Sequence, residues 1–190
     1  MKRHLERKAK GFSAIETLVA VAIISVVLVM ALLRWTTLMP NAKANSAVDQ
    51  LLYRLRSARE QAIAHRREVQ VQFVGTNQLT ISELWVTGTP PAPTTYTFEG
   101  GASFQVITGV PDTPMGFGNS AAVYFENLSG GPPIMKFTTN GSFIDGGNTL
   151  VNGTVFLGIA GVKQSARAVT ILGATGRVRP YHYDGTAWQE

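Results

Sequence analysis

The chain begins with a long apolar segment. From Phe12 to Leu33 the sequence reads FSAIETLVAVAIISVVLVMALL, which is 22 residues with a single charged side chain, Glu16. At about 1.5 Å per residue an α-helix of this length spans about 33 Å, which matches the hydrocarbon core of a bilayer. The apolar region of a secretory signal peptide is shorter, about 7–15 residues. The pattern therefore predicts a membrane-spanning helix.

A second, amphipathic pattern follows Pro40, a residue that we expect to kink the helix or interrupt it locally. Between about Ala44 and His65, apolar residues recur at steps of three and four: Val48, Leu51, Leu52, Leu55, Ala58, Ala62 and Ile63. This spacing predicts a helix whose apolar stripe packs on a sheet. The same stretch is basic, with Arg54, Arg56, Arg59, Arg66 and Arg67 against Glu60. Two interpretations stay open: a solvated face with an ion pair at Arg59 or Arg66, and a contact surface for neighbouring subunits or a polyanion.

From Glu68 onward the apolar period changes to two. Val69, Val71 and Phe73 alternate with polar residues, which predicts a half-buried strand. Further strand-like runs are Leu79–Val86, Tyr96–Phe98, Ser103–Ile107, Ala121–Phe125, Ile134–Thr138, Thr154–Ile159, Ala168–Leu172 and Arg177–Tyr183, with loops at Thr87–Thr95 and Gly109–Ser120. The predicted fold class is α+β: a long N-terminal helix, with a transmembrane half and an amphipathic half, packed on an antiparallel, twisted β domain. The predicted segments are a leader (1–11), a transmembrane helix (12–35), an amphipathic helix (36–67) and a β-rich globular domain (68–190).

Charge is distributed unevenly along the 190 residues. Residues 1–11 contain five basic side chains and one acidic one, so they carry +4 of the net +5. The other 179 residues carry 12 basic and 11 acidic side chains, so net charge does not indicate a basic, nucleic-acid-binding body. Basic residues before an apolar span hold that end in the cytoplasm. The absence of Cys excludes disulfides, thiolate metal ligands and a Cys nucleophile.

Glu16 is the unusual residue of the apolar segment. A carboxylate near the centre of a bilayer costs about 2.5–3.5 kcal/mol on insertion scales, so such residues usually have a partner and a function. Glu16 stands five residues after Gly11, where the basic stretch meets the apolar helix. Both its charge and its position therefore need an explanation.

The string KGFSAIETLVAVAIISVVL resembles the processing and assembly signal of the type IV pilin superfamily. The resemblance implies that a prepilin peptidase cuts between Gly11 and Phe12, and that the new amine of Phe12 is methylated. It also implies that Glu16 pairs with the charged N-terminus of a neighbouring subunit, which compensates two charges that lipid would penalise separately. Ala14 and Thr17 depart from the family pattern, in which larger apolar residues are common.

Segments after residue 54 narrow the resemblance to one group within the superfamily. LRSAREQAIAHRREVQVQF, KFTTNGSF and ARAVTILGATGRVR are similar to segments of the GspH/FimT group of minor pilins and pseudopilins. The group implies a bacterial protein that is inserted once in the inner membrane, with a cytoplasmic N-terminus, and that then joins a periplasmic or surface filament. Its implied partners are other pilin or pseudopilin subunits and the peptidase. The leading function is a minor type IV pilin that supports pilus assembly and binds DNA for uptake; the alternative is an H-type minor pseudopilin of type II secretion.

Gly176-Arg177-Val178-Arg179 matches the GRxR pattern with which FimT-like pilins hold DNA. In a strand Arg177 and Arg179 point to one face, about 7 Å apart, close to the spacing of successive phosphates. Tyr181 continues that face, with His182 and Tyr183 nearby, and their rings could stack on bases. Lys163 and Arg167 would enlarge the patch if their loop folds alongside. A turn followed by an Arg-bearing edge strand is the ordinary structural alternative.

Other chemistry is not indicated. The three His residues, at positions 4, 65 and 182, are too scattered for a metal site, and neither a Ser-His-Asp arrangement nor paired carboxylates can be assigned. We therefore expect no catalytic residues, no metal, no cofactor and no enzymatic activity. A third class, a membrane-anchored binding domain that never polymerises, also fits the anchor; leader cleavage and dependence of filament incorporation on Glu16 would separate it from the first two.

Overall fold

A computed structural model describes residues 13–126 and 134–190, without the side chains of residues 33–37. The chain divides into two compact units, the first ending at Met39 and the second running from Pro40 to Glu190. One helix, α1 (Ala14–His65), contains Pro40. Proline removes one backbone hydrogen bond of a helix, but it does not end this one, so the predicted local interruption is wrong.

The first unit is represented by the apolar part of α1. Ala14–Leu32 has a mean hydropathy of 2.7, and its side chains are exposed. Within residues 13–126 and 134–190 it is the one helical segment that is long and apolar enough to cross a membrane. Its length and composition agree with the predicted apolar helix.

The second unit contains two antiparallel sheets. The first has the order β3-β2-β1-β6-β7, and the second has the order β11-β10-β9-β8-β4, with β5 also paired to β8. The strands are β1 (Val69–Val74), β2 (Gln78–Glu83), β3 (Thr94–Thr97), β4 (Ser103–Phe104), β5 (Val123–Phe125), β6 (Ile134–Phe137), β7 (Phe143–Asp145), β8 (Gly153–Gly158), β9 (Arg167–Leu172), β10 (Arg177–Tyr183) and β11 (Trp188–Gln189). The predicted α+β class with an antiparallel β domain is confirmed.

The main core joins the second half of α1 to both sheets. Leu51, Leu55 and Ala58 of the helix are fully buried in one cluster with strand residues of the first sheet, such as Val71, and of the second sheet, such as Val169. The stripe therefore lies where its spacing of three and four predicts. Because every buried apolar side chain among the described residues lies between Ala44 and Tyr183, the second unit has a core of its own.

The strand boundaries differ from the prediction in several places, for example at β2, which ends at Glu83, three residues before the predicted end at Val86. β3 begins at Thr94, so part of the predicted Thr87–Thr95 loop pairs with β2. β4 ends at Phe104, three residues earlier than predicted. β11 was not predicted at all, because two residues are too few to show a period; it pairs with the end of β10.

Candidate functional site

Two of the predicted N-terminal site residues, Gly11 and Phe12, lie outside the described residues, so leader cleavage and methylation stay predictions. Glu16 lies in the first turn of α1 and is exposed. The Ser13 N–H donates to Glu16 Oε2 at 2.9 Å, and the Glu16 N–H donates to Ser13 Oγ at 3.3 Å.

This reciprocal pair is a capping box, which satisfies backbone N–H groups that the first helical turn leaves without partners. Glu16 thus has a structural role inside its own chain. The Ser-x-x-Glu spacing at residues 13–16 is the sequence signal of this capping box. Removing Glu16 would change two things at once, a helix cap and a negative charge.

Arg177 and Arg179 lie on β10 and differ in their surroundings. Arg177 is exposed, and within residues 13–126 and 134–190 its guanidinium forms no ion pair. Arg179 is half-buried, and its Nη1 lies 3.4 Å from Glu190 Oε2. The two arginines of the GRVR segment are therefore not equivalent, because one already has an anionic partner within the chain.

The two tyrosines of the predicted aromatic extension are buried, whereas His182 is exposed. Tyr181 is 5% exposed and packs with Phe156 and Ala168, while Tyr183 is 6% exposed and packs in a separate small cluster. The ring of Trp188 lies edge-on to Tyr183, with centroids 5.4 Å apart. The expectation that these tyrosines stack on bases is wrong, because other elements cover the face beyond Arg179.

Arg167 does not enlarge the patch either. It is 5% exposed, and it donates from Nε to Asn45 Oδ1 at 2.7 Å and from Nη1 to the carbonyls of Gln164 and Ala166, both at 2.8 Å. Burial lowers the pKa of Arg167, and the charge of Asp49 partly offsets this effect. Arg167 links α1 to β9. Lys163 is exposed in the short 3-10 turn that precedes β9.

Two helix arginines approach the start of β10 instead. Arg56 Nη2 donates to the Val178 carbonyl at 3.3 Å. Arg59 Nε donates to the carbonyls of Gly141 and Thr175, both at 3.1 Å. Neither Arg59 nor Arg66 forms an ion pair with a carboxylate in the described part of the chain, so the predicted pair at these positions is wrong. Their spacing in sequence places Arg56 and Arg59 on neighbouring turns of α1, but no local pattern indicates that β10 lies beside them.

Gly176 has a structural reason for its identity. Its φ is +59°, and a Cβ at this position would meet the Gly141 carbonyl oxygen and the side chain of Arg59. The Thr175-Gly176 turn and the Asn140-Gly141 turn therefore meet at Arg59. Beside this junction, Arg56, Arg59, Glu60 and Arg177 line an open cleft of about 460 Å³.

The end of α1 is also basic. Arg67 Nη1 lies 3.6 Å from Glu83 Oε1, and its guanidinium stacks over the Trp85 ring at 3.9 Å from the centroid. Arg66, which is exposed, has a φ of +52°. As for metals, no three His, Asp or Glu side chains in residues 13–126 and 134–190 converge on a position that could hold an ion.

Comparisons with known proteins give structural matches alone. No family model matches the chain, and no curated protein matches its sequence. The type IV minor pilin FimU of Pseudomonas aeruginosa matches with a TM-score of 0.49 and 17% identity, over 78% of this chain and 94% of that chain. The minor pseudopilin EpsH of the Vibrio cholerae type 2 secretion system matches with a TM-score of 0.47 and 16% identity, over 74% and 97%. The chain is similar in structure to a minor pilin and to a minor pseudopilin.

Proposed function

We propose that this chain is a minor type IV pilin, a subunit of a cell-surface filament. The observation that carries the proposal is the position of Glu16, the one charge of the apolar segment, five residues after Gly11. In this proposal the basic leader stays in the cytoplasm, the apolar helix crosses the inner membrane once, and prepilin peptidase releases the leader before Phe12. The helix anchors the subunit before assembly and packs with other subunits afterwards.

Glu16 allows a direct test, because its two roles can be separated. Glu16→Gln keeps an oxygen that can accept from the Ser13 N–H but removes the charge, whereas Ser13→Ala keeps the charge and removes half of the cap. If Glu16 pairs with the N-terminal amine of a neighbour, Glu16→Gln loses incorporation into filaments and Ser13→Ala retains most of it. Immunoblotting of sheared surface filaments, with total protein as control, measures incorporation. Wild-type incorporation of Glu16→Gln would leave Glu16 as a helix cap alone and remove the support for this proposal.

We further propose that the filament subunit binds DNA through its GRVR segment. The exposed guanidinium of Arg177 supports this function, because arginine can hold phosphate oxygens in a bidentate manner. Binding of duplex DNA by the full chain in detergent micelles, compared with Arg177→Ala/Arg179→Ala, tests it. We expect log K of the wild type to fall with log salt and the double variant to bind much more weakly. Equal affinities would exclude DNA contact by this segment.

The alternative function is an H-type minor pseudopilin of type II secretion. The contact of Arg179 with Glu190 favours it, since an arginine that is neutralised within the chain suits a structural strand better than a ligand site. In that function the β domain contacts other pseudopilin subunits and DNA is no partner. Absence of DNA binding at low salt, together with loss of protein secretion on deletion, would support this alternative.

A further inference from the structure

Three arginines from two elements share the cleft beside the Thr175-Gly176 turn. Arg56 and Arg59 stand on adjacent turns of α1, and Arg177 begins β10. Glu60 also lines the cleft, so the ionisable side chains there sum to +2. We call the group Arg56, Arg59 and Arg177 the arginine cleft.

The three cations of the arginine cleft have no carboxylate partner; Arg54, Arg66 and Lys163 elsewhere in the described chain have none either, but they do not line this cleft. Arg67, Lys136 and Arg179 each lie within 4.0 Å of a carboxylate, and Arg54 stacks on Tyr96 at 3.9 Å from the ring centroid. No carboxylate among the described residues lies this close to the three cleft arginines, and Glu60 makes no ion pair with them. The described lining of the cleft holds three cations and one carboxylate, so its surplus positive charge would attract an anionic ligand.

The contacts of the helix arginines orient them without using all their donors. A guanidinium has five N–H groups. Arg59 uses its Nε–H for both turn carbonyls, which leaves the two Nη nitrogens, and Arg56 uses one Nη2 contact to Val178. Side chains that are already held in place lose less conformational entropy when they bind a ligand. The remaining N–H groups suit phosphate oxygens, which guanidinium binds in a bidentate manner.

We propose that the arginine cleft, rather than the Arg177–Arg179 pair, holds the phosphodiester backbone of DNA. The inference rests on the proposed DNA-binding function and assigns Arg56 and Arg59 to that site, while Arg179 stays with Glu190. No aromatic side chain lines the described cleft, and Tyr181 and Tyr183 are buried. Recognition is therefore by phosphate contact, which carries no base sequence information. Duplexes of different sequence bind equally.

The salt dependence of binding counts the contacts. The affinity K for duplex DNA falls as the salt concentration rises, and each phosphate contact makes the slope of log K against log salt steeper by about 0.9. A variant that loses one contact therefore gains about eightfold less affinity than wild type when salt is lowered from 1 M to 0.1 M. We expect this loss for Arg56→Gln, Arg59→Gln and Arg177→Gln individually. The matched control is Arg54→Gln, which removes the same charge from the same helix at the Tyr96 side. Arg54→Gln should leave the slope within about 0.2 of wild type, well below the change for one contact. Arg179→Gln separates the two sites: the Arg177–Arg179 pair predicts the loss of one contact, and the arginine cleft predicts none.

The experiment is fluorescence anisotropy of a labelled duplex with the full chain in detergent micelles, at five salt concentrations. Because Arg59 also holds two turns, Arg59→Lys is included; it keeps the charge, so its slope stays near wild type even if the turns loosen. The cleft is not the DNA site if the slopes of Arg56→Gln and Arg59→Gln are unchanged while Arg177→Ala/Arg179→Ala loses binding. The proposed DNA-binding function would still stand in that case. No binding by wild type at low salt would overturn both. If the wild type does not bind DNA and the cleft variants lose incorporation into filaments, the cleft instead contacts an acidic face of a neighbouring subunit.

Discussion

At the end of α1 we expect glycine to stabilise the protein more than alanine, which is the reverse of their order inside a helix. The Arg66 N–H donates to the Ile63 carbonyl at 3.4 Å, and the Arg67 N–H donates to the Ala62 carbonyl at 3.2 Å. With its φ of +52°, Arg66 occupies the left-handed position of a Schellman motif, where glycine is the common residue. A residue with a Cβ is strained there by about 1–2 kcal/mol. Replacing Arg66 should therefore favour glycine over alanine.

The expected magnitude follows from two opposing terms. Glycine avoids the left-handed strain but loses about 0.5–1 kcal/mol more than alanine in chain entropy on folding. Arg66→Gly should thus be about 0.5–1 kcal/mol more stable than Arg66→Ala. Inside an ordinary helix the order is reversed, with alanine better by about 0.8–1.0 kcal/mol. Both variants remove the same cation from the negative end of the helix dipole, so that effect cancels in the comparison.

Urea denaturation of a soluble fragment of residues 40–190 measures this difference, since the fragment contains the whole second unit. The comparison needs equal m-values in the two variants, because a changed m-value would mean a changed denatured state. An Arg66→Ala fragment as stable as the Arg66→Gly fragment, or more stable, would refute the left-handed conformation at Arg66 and the motif built on it.

Three further predictions concern the second unit. Leu55→Ala removes a fully buried side chain of the main core and should destabilise the fragment by about 2.7–5 kcal/mol in urea denaturation, with exposed Gln61→Ala as control. Gly176→Ala adds a Cβ where the Gly141 carbonyl lies, at a φ of +59°, and should lower the thermal midpoint by several degrees, whereas Gly161→Ala, with a φ of +77° but open space, should lower it less. Hydrogen bonds from the Ala187 N–H first, and then from Thr186, lower the pKa of Asp184. Its stabilisation is therefore complete above an unfolded-state pKa of about 3.9 and is lost as pH falls toward the lower folded-state value. Trp188 fluorescence should show this loss of stability at low pH in wild type but not in Asp184→Asn. The same acid transition in both proteins would contradict the stabilising role of the Asp184 carboxylate.

Local patterns predicted the parts of the fold that depend on neighbours in sequence. Leu51, Leu55 and Ala58 are buried because steps of three and four place them on one helix face, and β1 alternates because successive side chains point to opposite faces. Long-range packing was not predictable in this way. Arg167 and Asn45 are 122 residues apart, and nothing near Arg167 in the sequence indicates that α1 covers it. A charged residue at the start of a strand is usually exposed, so its burial required the helix to be placed first.

The candidate site shows the same limit on a smaller scale. A period of two correctly placed Arg177, Arg179 and Tyr181 on one face of β10, but it could not tell which part of that face other elements cover. Tyr181 is buried by a separate small cluster, and Arg179 meets Glu190 through the short pairing of β10 with β11. The position of each residue on the strand was predictable, whereas its accessibility depended on contacts between distant segments.

The partners of the four residues of the GRVR segment change what the motif means here. Gly176 is needed where two turns meet, Val178 is buried in the core, and Arg179 is paired with Glu190. Each of these three residues is explained by the fold of the chain itself. Arg177 is the member that has no such explanation among its described contacts. A ligand hypothesis for this segment therefore has to start from Arg177 and from the cations that line the same cleft, Arg56 and Arg59, rather than from the next arginine in sequence.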